Sequence, residues 1–94
     1  SGQLLMSALA TCSAMTVMMY VRRKKWPLKC IRVYVHKKET DKAIPHATYV
    51  KEVELVGPDM TEKQQNGCLE IAERCPVHRI LSGSSEIESV LKNK

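Results

Sequence analysis

No phenylalanine occurs in these 94 residues, and only one tryptophan and three tyrosines do. A core without large aromatics has to be assembled from Leu, Ile, Val, Ala and Met. The same scarcity, with no glycine-rich phosphate loop, speaks against nucleic-acid binding, which needs stacking surfaces or phosphate cradles beside its cations. G-x-S-x-G, H-E-x-x-H and the P-loop are missing, so the enzyme classes those motifs mark have no support. No C-x-x-C pair exists, which removes the usual frame of a structural zinc site. A basic n-region ahead of the first apolar run is missing as well. The expectation is therefore an intracellular, cytoplasmic chain whose thiols stay reduced.

What is present is ordinary for a globular protein: 44% hydrophobic and 27% charged residues,. The length fits a single domain over 1–94, but a chain this short buries a modest share of its surface. Its core calls for a supplement, and a second copy of the chain is the first candidate. The net charge of +5 arises largely from Arg22, Arg23, Lys24 and Lys25 with scattered further cations. Such a block is more often a solvated face than a nucleic-acid site.

Leu4 to Tyr20 is rich in Ala, Leu and Met, with nothing to break a helix before Pro27,. Apolar side chains occupy nearly all of its circumference, so protein or lipid must cover it. Ser7, Thr11, Ser13 and Thr16 interrupt the run, which sits at the short end of bilayer-spanning lengths and has no second span after it,. Their hydroxyls can bond back to the preceding turn, which suits a buried core helix rather than a membrane span. LKCIRVYVHKKE then alternates, with Ile31, Val33 and Val35 on one side of a strand and Arg32, Tyr34 and His36 on the other,. TDKAIPHA reads as a polar turn containing Pro45, and TYVKEVELVG as a second strand forming an antiparallel pair with the first.

A helix start follows, with Asp59 or Thr61 as cap and Glu62 in the first turn,. Cys68, Ile71, Ala72 and Cys75 share one face of that helix. Pro76 disfavours the α conformation at Cys75, so the helix is expected to end there. SEIESVLK reads as a last short strand. The order helix, strand, strand, helix, strand predicts an α+β domain.

Of the four cysteines, Cys12, Cys30, Cys68 and Cys75, two stand in suggestive settings. Cys12 lies mid-helix among Ala10, Thr11, Ser13 and Ala14, where a free cysteine is ordinarily a small buried hydrophobe. A reactive role would require a cation nearby, because the thiolate is the nucleophile, and none is adjacent in sequence. Cys75 is surrounded by Arg74, His78 and Arg79, but at a helix C-terminus these cations would work against the dipole. Cys75 and His78 have a ligand-like spacing that Cys68, His36 or His46 could join. The scatter of these groups argues against a metal, and no cofactor is expected.

Taken together, LLMSALATCSAMTVMMYVRRKKWPL and EIAERCPVHRIL resemble the OsmC/Ohr family of thiol-dependent hydroperoxide reductases, most closely its OsmC-like branch. The resemblance implies a central buried helix and a second helix packed on an antiparallel sheet, in an intertwined homodimer. It implies Cys12 as the peroxidatic cysteine and Cys75 as its partner. Cys12 would attack hydrogen peroxide or an organic hydroperoxide, and Cys75 would form a disulfide with the resulting sulfenic acid. An external dithiol, lipoyl-type by family analogy, would then reduce that disulfide. Cys30 and Cys68 match no family motif and read as packing residues.

The family pattern also includes N-terminal strands that supply an arginine to the peroxidatic thiolate and an acidic residue that orients it. Here Ser1 stands essentially at the helix, with Gly2 and Gln3 where the acid is expected. Neither partner carries over, and a Cys12 with no charged partner is expected to react slowly. The competing expectation is a non-catalytic dimeric module of the same fold that binds a partner through the basic face Arg22–Lys25.

Overall fold

The computed structural model describes residues 2–38, 48–83 and 85–92. The segment read as a turn around Pro45, and with it His46, lies outside the described residues. Six elements follow one another: helix α1 (Gly2–Lys24), strands β1 (Cys30–Lys38) and β2 (Thr48–Val56), helices α2 (Glu62–Ala72) and α3 (Pro76–Leu81), and strand β3 (Glu86–Leu91).

Helix α1 runs past the predicted Tyr20 and stops before Pro27 is reached. Its terminator is Lys25, held at φ 59°. The Trp26 N–H donates to the Val21 carbonyl at 3.1 Å and the Lys25 N–H to that of Arg22 at 3.3 Å. These two bonds form the paired closure that a left-handed residue makes at a helix end. Arg22, Arg23 and Lys24 thus occupy the last helical turn, where the helix dipole favours cations.

Leu9, Ser13, Val17 and Val21 are buried, and their four-residue spacing makes one row along α1. The helix is long and apolar enough to cross a membrane by length and composition. Here that row faces β1, α2 and α3. Val17 and Val21 join Val53, Met60, Cys68, Ile71 and Ala72 in the core. The other flanks of α1 stay open in the single chain, with Leu4, Met15 and Met19 exposed.

The sheet order is β1-β2-β3. β1 and β2 pair antiparallel, with Val33 opposite Val53, as their alternation predicts. β3 joins the other side of β2 in parallel, Thr48 opposite Glu86, so the sheet is mixed rather than wholly antiparallel. The parallel step is possible because α2 and α3 form the crossover. At the end of β2 the chain passes close to itself: a Cβ on Gly57 would lie 2.6 Å from the Pro27 carbonyl oxygen. Only glycine fits there.

Thr61 caps α2, accepting from the Gln64 N–H at 3.1 Å while the Gln64 side chain accepts from the Thr61 N–H at 3.0 Å, a reciprocal capping box. The helix does not run to Cys75, as its apolar spacing predicts, but ends at Ala72. A turn follows, and Cys75 begins a further helix, α3, that the sequence reading did not include. Pro76 explains both facts. It forces Cys75 out of the α region, to φ −65° and ψ 146°, and its ring suits the first position of a new helix.

Candidate active site

Cys12 and Cys75 belong to α1 and to the start of α3, two elements in direct contact. Ser13, the residue after Cys12, belongs to the buried row of α1, and its Oγ lies 3.3 Å from Cys75 Sγ. Cys75 is wholly buried whereas Cys12 is half-buried. Cys12 keeps access to solvent and Cys75 is shut inside the protein. The polar member of an otherwise apolar helical row is what meets the second thiol.

The local setting of Cys75 differs from its prediction. It stands at the beginning of a helix rather than at an end, so the adverse dipole expected from the sequence is not there. Its Sγ accepts the His78 backbone N–H at 3.3 Å. The three neighbouring cations also resolve differently. Arg74 and Arg79 are exposed, while His78 is buried and pushed down to about 4 by burial and by the charge of Lys51. At neutral pH its ring is uncharged.

Lys51 is the residue that the sequence reading passed over. It lies on β2 in the same parity as Tyr49 and Val53, all three buried, and is itself fully enclosed. Its Nζ donates to the Ala72 carbonyl at 2.9 Å and lies 2.7 Å from His78 Nδ1. Because an ammonium can only donate, Nδ1 is the acceptor and the His78 ring proton resides on Nε2. Burial lowers the Lys51 pKa, while Cys75, Glu73 and Cys12 act in the opposite direction. A lysine on the dry parity of an alternating strand is the signal by which it could have been found.

Cys68 is buried in the core, and burial pushes its thiol up to about 11. Cys30 is half-buried on the edge strand β1. Both positions agree with packing. Among the described residues, no three metal-ligating side chains converge, and His78 Nδ1 is already engaged by Lys51.

A family profile described as OsmC-like protein matches residues 1–90. Among solved structures, the chain is similar to an organic hydroperoxide resistance protein, OsmC, of Legionella pneumophila: 14% identity, TM-score 0.78, covering 97% of this chain and 67% of that one. It is similar to an OsmC like protein of Mycoplasma pneumoniae, with 19% identity and TM-score 0.78 over 95% of this chain and 67% of the other. The organic hydroperoxide resistance protein OhrB of Bacillus subtilis gives 16% identity and TM-score 0.69 over 96% and 67%. No curated protein matches the chain by sequence. At these identities the solved structures establish a shared fold.

Proposed function

The chain belongs to the OsmC-like protein family, and from that premise we propose that it is a cysteine-based peroxidase acting on organic hydroperoxides or hydrogen peroxide. Solved relatives of this fold are named organic hydroperoxide resistance proteins, which supports a peroxide-related redox role for the family. The observation that carries the reading for this chain is the contact of Ser13 with Cys75, which puts the neighbour of Cys12 against the second thiol.

In this reading the Cys12 thiolate attacks the distal oxygen of the hydroperoxide. The O–O bond breaks, sulfur is oxidised to a sulfenic acid, and the alkoxide leaves as the alcohol once protonated. Cys75 then attacks the Cys12 sulfur. The S–S bond forms, the S–O bond breaks, and the oxygen departs as water. An external dithiol, lipoyl-type or similar, reduces the disulfide by exchange and is itself oxidised. The half-buried position of Cys12 and the enclosure of Cys75 suit an attacking thiol that meets substrate and a resolving thiol that does not.

The reading includes a homodimer, because exposed Met15 and Met19 on α1 form an apolar strip that a second copy would cover. It places the chain in the cytoplasm, where thiols are kept reduced between cycles. The competing basic-face module has a structural account instead. Arg22, Arg23 and Lys24 close a helix whose C-terminal dipole they complement,.

The test is intact mass and free-thiol count of the chain before and after one equivalent of cumene hydroperoxide, with Cys75→Ser alongside. A Cys12–Cys75 disulfide in the parent, and a trapped Cys12 sulfenic acid in the variant, are expected. Survival of all four thiols would overturn the reading.

A further inference from the structure

Helix α3 has little to hold it. Its six residues make fewer than two turns, and a helix that short does not sustain itself in water. Only His78 among its side chains is buried; Pro76 and Arg79 are exposed, and Ile80 is 76% exposed. With so little apolar burial, α3 belongs to the low-stability end of the structure.

Two polar anchors compensate. At one, the His78 ring meets Lys51 Nζ at 2.7 Å. At the other, Cys75 Sγ serves as the capping group, accepting the His78 N–H at 3.3 Å and touching Ser13 Oγ at 3.3 Å. His78 is the third residue of the helix, so its N–H has no carbonyl partner within α3. The thiol is what satisfies it.

The cap and a disulfide need the same sulfur in different places. In the reduced chain Cys75 Sγ lies against Ser13, on the buried row of α1. Cys12 is one residue earlier, about 100° around the helix, and stands half-buried outside that row. To come within the roughly 2 Å of an S–S bond, Cys75 has to turn its sulfur away from both Ser13 and the His78 N–H. Ser13 can return its hydroxyl to the preceding turn of α1. The His78 N–H has no such recourse.

We infer that α3 is a redox-responsive helix, capped by the Cys75 thiol in the reduced chain and uncapped when that sulfur joins Cys12; its purpose rests on the peroxidase reading. The two thiols lose two electrons and two protons as the S–S bond forms, and the hydroperoxide takes them up in the proposed cycle. The first turn of α3 then loosens, with the contact between His78 and Lys51 as its remaining anchor. Cys75, wholly buried when reduced, is thereby uncovered to the external dithiol in the one state on which that dithiol has to act. Reduction returns the sulfur to the His78 N–H and closes the site again.

Amide hydrogen exchange, followed residue by residue by NMR on the full chain, reads the cap directly. Diamide forms the bridge without peroxide, its azo bond taking up the two electrons and two protons. The reduced parent and Cys75→Ser, whose hydroxyl also caps, are both expected to protect the amides of His78 and Arg79. The diamide-oxidised parent, with its Cys12–Cys75 bridge confirmed by peptide mapping, and Cys75→Ala should exchange them roughly fivefold faster. Ile71 and Ala72 of α2 should not change; equal acceleration there would mean general destabilisation and overturns a response confined to α3. Full protection of α3 in the bridged chain overturns the inference, as does full protection in Cys75→Ala or failure of diamide to join Cys12 to Cys75. If diamide forms the bridge and frees α3 but cumene hydroperoxide oxidises nothing, the peroxidase reading fails and the redox response of α3 stands.

Discussion

Ser13 Oγ and Cys75 Sγ meet at 3.3 Å across 62 positions of sequence, and the contact joins the first helix to the residue that opens the third. Replacing the hydroxyl by hydrogen leaves Cys75 fixed on its other side by the His78 N–H. Ser13→Ala should therefore cost only about 1 kcal/mol of stability, while slowing formation of the Cys12–Cys75 disulfide relative to sulfenic acid formation. Rapid-quench mass spectrometry after peroxide addition separates the two steps; equal slowing of both would refute a role confined to Cys75.

The His78 ring gives a pH dependence with a definite sign. Its pKa is lowered to about 4 in the folded chain, against an unfolded value near 6.5. Between those values the unfolded chain binds the proton and the folded chain does not, so stability is full above about pH 6.5 and declines as pH falls toward 4. The loss should be on the order of 3 kcal/mol by pH 4, read from urea midpoints across that window. His78→Asn, which keeps an acceptor for Lys51 but does not titrate, should flatten this part of the profile.

Cys68 should be chemically silent. Its buried thiol, raised to about 11, offers almost no thiolate at neutral pH. Iodoacetamide mapping should find Cys68 modified only in denaturant, while Cys12 reacts in the native chain. Cys68→Ala should retain peroxide turnover; loss of turnover in a folded variant would give Cys68 a role that the proposed chemistry lacks.

At Gly57 even one methyl group is too much. A Cβ there would meet the Pro27 oxygen at 2.6 Å and Met60 Cγ at 2.9 Å. Backbone cannot swing aside as a side chain can, so Gly57→Ala should lose roughly 1–3 kcal/mol. For a domain of this size each kcal/mol corresponds to about 4–8 °C in Tm, well within reach of thermal melts.

The apolar strip on α1 predicts the state of association. A charge at Met15 or Met19, 61% and 63% exposed in the single chain, costs little if that surface faces water and much if a second copy covers it. Met19→Glu should shift sedimentation from dimer to monomer. A parent chain that sediments as a monomer would remove the homodimer from the reading.

Much of this was legible in the sequence because it is local. The alternation of Ile31, Val33 and Val35 and the Thr61 cap each depend on a few adjacent residues, and the fold keeps them. What escaped is non-local or too short for a period. Six residues give α3 less than two turns, and Pro76 reads as a terminator before it reads as an initiator. Lys51 sits between Val50 and Glu52 in a strand whose charges all look solvated. Its burial follows only once the Ala72 carbonyl and the His78 ring are known to lie above it.

The parallel placement of β3 bears on how the molecule assembles. β1 and β2 are sequence neighbours and can zip together early, but β3 must pair Thr48 with Glu86 across both later helices. Closing so long a loop costs chain entropy that is repaid only when the last contacts form. The docking of β3 is therefore the expected late step, and α3, held between α1 and that strand, is secured with it. A chain caught before this event would carry its cysteines as ordinary, unmatched thiols. If the proposed Cys12–Cys75 chemistry holds, the yield of that disulfide after a refolding jump would report completed folding and could serve as a clock for it.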